Sequence, residues 1–100
     1  MGYIEELEDE TSNLVLVAEL DKTPESFKRA ALKEVAAAKV LADRGVNRFV
    51  PHLFSAGWCA YHAKDKELAA SIVEKIEEIA GLSRFFSKEK KSMRASIKKM

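Results

Sequence analysis

Glutamine does not occur in this chain of 100 residues, asparagine occurs only at Asn13 and Asn47, and cysteine only at Cys59. A single cysteine excludes an internal disulfide and leaves the redox compartment open. The longest purely apolar run, residues 14–18, falls far short of the roughly 20 residues that a membrane-spanning helix needs. The opening Met1-Gly2-Tyr3-Ile4-Glu5-Glu6 has neither the basic nor the apolar region of a secretory signal, and Glu6 stands where a myristoylation signal needs Ser or Thr. These absences predict a cytoplasmic protein with no integral membrane association. Scarce amide side chains beside abundant Lys, Glu and Ala are a bias of hyperthermophile proteins, and predict a thermophilic source. No Asn-Gly or Asp-Gly hairpin signal, zinc-finger spacing or glycine-rich phosphate loop is present.

Charge is plentiful, and it is sorted. Residues 1–26 hold eight acids and one base, Lys22, for a net of −7, whereas residues 84–100 hold seven bases and one acid, Glu89, for a net of +6. The formal total of +1 conceals both ends. Sorting of this kind bears on partners. Hydrophobic content of 47% predicts a folded core despite 33% charged residues, and the length fits one domain.

The punctuation is helical. Thr23-Pro24 reads as a cap and first helical residue, and Gly45 as the left-handed residue that ends the helix. Asn47 is expected to cap a helix over 47–64, with Pro51 in its first turn. Asp65 is expected to cap a helix running to Gly81, and Ser83 or Ser87 to begin the last one. Residues 3–21 are ambiguous: Ile4, Leu7, Leu14, Val15 and Ala18 share a helical face, yet residues 13–18 also pass as a strand. Helix is favoured, with a break near Thr11-Ser12, because a lone strand has no partner for its backbone groups. The expected fold is therefore all-α, a single domain of four to five helices in antiparallel hairpins. It comprises an acidic segment 1–26, a helical core 24–81 and a basic amphipathic helix 83–100. The helix–short loop–helix rhythm of 24–81 is reminiscent of tetratricopeptide-type hairpins, but the Trp, Leu-Gly and Tyr pattern of that repeat is absent.

Helix 24–44 offers a face of Phe27, Ala30, Ala31, Ala37, Ala38, Leu41 and Ala42. Gly57, in the apolar face of the next helix, costs about 1 kcal/mol relative to Ala in a helix interior. Close approach of the alanine-lined helix is the expected compensation. Glu34 interrupts the alanine face and is expected to pair with Arg48, His52 or Lys39 or to escape to solvent at the bundle edge, with a ligand or acid–base role as the alternative.

The opposite face of helix 47–64 carries His52, Ser55, Cys59 and His62 at i, i+3, i+7 and i+10, one stripe. Zinc needs three or four ligands and there is no second cysteine. His52 and His62 lie roughly 15 Å apart along the axis. A Cys–His nucleophile would need an orienting acid and an oxyanion turn, and neither is evident. The stripe is expected to be an interaction surface covered by another helix or subunit, with no metal, cofactor or catalytic role. In the last helix Phe86, Met93, Ile97 and Met100 form an apolar stripe for docking. Arg84, Lys88, Lys91, Arg94, Lys98 and Lys99 fan over the other side as possible contacts for an anionic partner.

The sequence thus points to a non-enzymatic helical protein–protein interaction module that self-associates, with a dimer favoured. The two charged ends are expected to meet, within one chain or across a symmetric pair. The alternative is a nucleic-acid-associated protein that binds phosphates through the basic helix. The N-terminal acids weigh against it.

Overall fold

Five helices run in chain order through the computed structural model, which describes residues 2–100: α1 Tyr3–Asp21, α2 Pro24–Asp43, α3 Phe49–His62, α4 Lys66–Glu77 and α5 Arg84–Lys98. No strand occurs among the described residues, and each helix packs on the next, so the architecture is an all-α bundle of successive hairpins.

Local chemistry sets most of the boundaries. Pro24 stands in the first turn of α2 and the Thr23 hydroxyl accepts the Ser26 N–H at 3.2 Å. The Asp65 carboxylate accepts the Leu68 N–H at 3.0 Å, and the Ser83 hydroxyl accepts that of Phe86 at 3.2 Å. At the end of α2 the Gly45 N–H reaches Ala42 O at 3.0 Å and the Val46 N–H reaches Leu41 O at 2.9 Å. Gly45 sits at φ 70, where a side chain would be strained.

Three boundaries differ from expectation. α1 is one uninterrupted helix, so residues 13–18 are helical and there is no break at Thr11-Ser12. The Thr11 hydroxyl donates to the Glu8 carbonyl at 2.7 Å, which satisfies it inside its own helix. α3 begins at Phe49, because Asn47 belongs to the turn that follows the α2 terminus, and no side chain caps its start. α4 ends at Glu77, before Gly81, and the chain beyond it packs Ile79 and Leu82 against the core.

α3 is the hub. Leu53, Phe54, Ala56, Gly57, Cys59 and Ala60 bury most of its circumference, as a helix enclosed by neighbours requires. α2, α4 and α5 pack directly on it, while α1 packs on α2. The body measures 41 × 35 × 20 Å, so it is about two helix diameters thick. Gly57 is buried as expected, but its mate is not the alanine face of α2. A Cβ placed there would lie 2.5 Å from Met93 Sδ and 2.8 Å from Met93 Cε. The glycine opens a slot for a side chain of α5.

α5 docks through its apolar stripe. Met93 and Ile97 are buried, Phe86 and Met100 are half-buried, and Phe86 stacks on Phe54 with ring centroids 4.9 Å apart. The Trp58 indole N–H donates to Glu89 Oε1 at 2.8 Å, so the one acid of the basic segment helps to fasten it. No helix is long and apolar enough to cross a membrane among the described residues.

Candidate functional site

The expected stripe of α3 is divided between two environments. His52 enters a polar chain that joins three helices. Its Nδ1 lies 2.6 Å from Glu34 Oε1 of α2, and its Nε2 lies 3.0 Å from Glu8 Oε2 of α1. Arg48, just before α3, grips the same Glu8 carboxylate from Nε at 3.2 Å and Nη2 at 2.8 Å. Carboxylate oxygens face both ring nitrogens, so a protonated ring donates to both at once. With the ring protonated, His52 and Arg48 set positive charge against the carboxylates that they bridge.

The protonation behaviour follows from these contacts. The bond to Glu34 raises the His52 pKa above its ordinary value; burial opposes this and the bond to Glu8 adds to it. The Arg48 bond, followed by that of His52, holds Glu8 down at about 2. Glu34 is 4% exposed, a depth at which a carboxylate without a partner is costly. His52 therefore solves the problem that Glu34 poses in the alanine face. The expected partner set for Glu34 contained His52, and His52 is the one bonded to it.

Ser55, Cys59 and His62 lie further along α3 and line an open groove of about 520 Å³ with Val15, Glu19 and Lys22 of α1, Phe27 of α2 and Trp58. Cys59 is buried, and burial above all pushes its thiol up to about 11, with the Glu34 charge adding to the effect. A thiol so disfavoured as thiolate is a packed side chain and a poor nucleophile. His62 is exposed and packs on Phe27 and Tyr61, with centroids at 5.2 and 5.4 Å. Among the described residues no three His, Cys, Asp or Glu side chains converge on a point that could hold a metal ion. Glu8 and Glu34 sit on opposite sides of the imidazole, so they cannot share one. Neither ring nitrogen of His52 is left open to exchange a proton with a bound molecule.

The basic residues of α5 are also divided. Arg94 turns onto Glu77 of α4 and forms an ion pair, with its Nε buried and without a partner. Arg84, Lys88, Lys91, Lys98 and Lys99 are exposed and pair with no carboxylate among the described residues. The acids of α1 that form ion pairs find their partners in α2, in α3 and at the residue before α3: Glu10 pairs with Lys33 at 2.7 Å, and Glu8 with His52 and Arg48. Among the described residues the two charged ends therefore form no ion pair with each other within one chain.

Sequence reasoning missed Glu8, Thr11 and the Trp58–Glu89 bond. Glu8 lies one turn before Thr11 on the inner edge of α1, within a block of acids that reads as solvated. Only its phase relative to Leu7 and Thr11 could have singled it out. Compared with known proteins, the chain matches no family model, no curated protein and no solved structure.

Proposed function

We propose that this protein is a non-enzymatic helical interaction module that self-associates, with a dimer as the favoured assembly. The observation that carries the reading is the outer side of α1. Leu16, Val17 and Leu20 remain exposed there, Leu20 at 74%, on a helix whose Glu5, Glu6 and Asp9 form no ion pair among the described residues. Exposed apolar residues grouped on one helix face are a mark of association surfaces, and a chain of this size has few faces with which to cover them. The His52 chain fits a structural role, because it fastens α1 and presents its outer side in a fixed orientation.

Light scattering coupled to size exclusion tests the reading. A mass above 11.2 kDa that rises with concentration supports self-association. A monomer at high micromolar concentration overturns it. The second reading, a nucleic-acid-associated protein, is favoured by the five unpaired bases on the exposed side of α5. It predicts co-purifying absorbance at 260 nm that is lost steeply as salt rises.

A further inference from the structure

α2 and α4 flank α3 and, in a chain of successive hairpins, run in the same direction. They are tied at their starts, where Lys28 Nζ lies 3.1 Å from Asp65 Oδ2. Further along they leave between them a groove of about 630 Å³, inside the range of roughly 300–1,000 Å³ that small-molecule sites occupy. Val35, Ala38 and Ala42 form its α2 wall, Phe49 and Leu53 of α3 its floor, and Ile79, just beyond α4, the far wall. Apolar surface is left open there: Val35, Phe49 and Ile79 are half-buried and Ala42 is exposed. From Val35 to Ala42 the groove follows α2 for about 10 Å.

One lysine stands on each wall. Lys39 lies 11 residues beyond Lys28, and Lys75 lies 10 beyond Asp65, so the helical rise carries them about 16 and about 15 Å past the ion pair, to matching heights. Both line the groove, both are exposed, and neither forms an ion pair among the described residues. Glu78 also lines it, three residues after Lys75, so the charged lining comprises two bases and one acid. A lysine keeps its stem on apolar surface while its ammonium reaches to the rim. The groove thus offers an apolar floor and walls with an excess of positive charge facing across it.

We propose that this groove binds a free aliphatic carboxylate of medium chain length. Its hydrocarbon tail lies on Val35, Phe49 and Leu53, and its carboxylate sits between Lys39 and Lys75. Covering the apolar floor supplies most of the affinity. The two ammonium groups select the anion: a neutral or cationic chain leaves them unmatched, and a wholly polar anion leaves the floor uncovered. Every lining residue belongs to α2, α3, α4 or the chain just after α4, so the site shares no residue with the outer side of α1 and does not depend on self-association.

Calorimetric titration with octanoate, 1-octanol and octylammonium tests the assignment. Octanoate should bind about tenfold more tightly than 1-octanol, the sum of two modest exposed charge contacts, and octylammonium should bind most weakly. The double variant Lys39→Gln, Lys75→Gln should lose the preference for octanoate over 1-octanol and still bind the alcohol. Ala42→Phe places a ring in the groove from an exposed position and should weaken both ligands. Ala80→Phe, on the opposite wall, should act alike. Helix content and melting temperature, recorded for each variant, separate loss of binding from loss of fold. Equal binding of octanoate and 1-octanol, or a preference that survives in the double variant, overturns the role of the lysines. Octanoate binding that neither filling variant weakens places the ligand on another surface and overturns the site. A wild type that binds no octanoate at millimolar concentration overturns the proposal outright. If the filling variants of such a protein also lower an associated mass, the groove belongs to a second copy of the chain.

Discussion

α1 and α5 are both terminal helices with a strong excess of one charge, yet they are held to the body by different means. α5 is held by shape: Met93 fills the slot over Gly57, Ile97 is buried, and Phe86 stacks on Phe54. α1 buries only Leu7, Thr11 and Ala18 fully, and reaches α3 through the Glu8 carboxylate. Charge excess in a helix therefore says little about how it is attached. What decides is whether a stripe of large apolar residues faces inward, as in α5, or is turned partly outward, as in α1.

The largest test of this contrast falls on α5. Met93→Ala should cost about 2–5 kcal/mol, the range for emptying a buried site of a large side chain, measured by urea unfolding. Gly57→Ala inserts a Cβ into the same space. In the double variant the intruding group meets a vacancy, so the two losses should fall short of their sum. Additive losses would mean that Met93 and Gly57 do not share one slot.

The next effect falls on α1. His52→Ala leaves Glu34 buried without its partner and should cost about 2–3 kcal/mol at neutral pH. Replacing His52 and Glu34 together by apolar residues of similar size should recover most of that loss. The wild type should also show two pH limits. His52 has a raised folded pKa, so its contribution is complete below its ordinary value of 6.5 and is lost as pH rises through the raised value. Glu8 is depressed, so its contribution is complete above the ordinary 4.5 and is lost as pH falls towards about 2. Stability contributed by these two groups should therefore be greatest between pH 4.5 and 6.5. His52→Gln should flatten the alkaline limb and leave a smaller acid limb, because Arg48 still holds Glu8 down. An alkaline limb of unchanged slope in that variant would remove His52 from the account.

The smallest effect lies at the end of α1. Lys22 adopts φ 56, a left-handed conformation that glycine adopts without strain. Lys22→Gly should raise stability by roughly 0.5 kcal/mol, the relief of strain less the added freedom of the unfolded chain. A melting temperature that falls would show that the lysine side chain contributes more than its backbone costs.

The fold was legible where a residue acts on its own neighbours. Thr23-Pro24, Gly45, Asp65 and Ser83 mark their boundaries through bonds made within a few residues, and the stripe of α5 reads directly as an inward face. It was not legible where distant parts decide. α4 ends at Glu77 and the chain beyond it lays Ile79 and Leu82 on the core, which no local signal at Gly81 reveals. Gly57 announces a close approach without naming the approaching side chain, and Met93 lies 36 residues away in the chain. The His52 chain was half legible: Glu34 demanded a partner, and His52 was a candidate, but Glu8 is 44 residues from His52 and hidden among acids of the same kind.

Trp58 is the only tryptophan in the chain, and its indole N–H is held by Glu89 of α5 while its ring lines the groove beside α1. The protein thus carries one intrinsic fluorophore at the seam where the basic helix is fastened. Loosening of α5 would release the indole from its carboxylate and into water, shifting its emission to longer wavelength. The attachment of that helix can be followed optically, in real time and without a label.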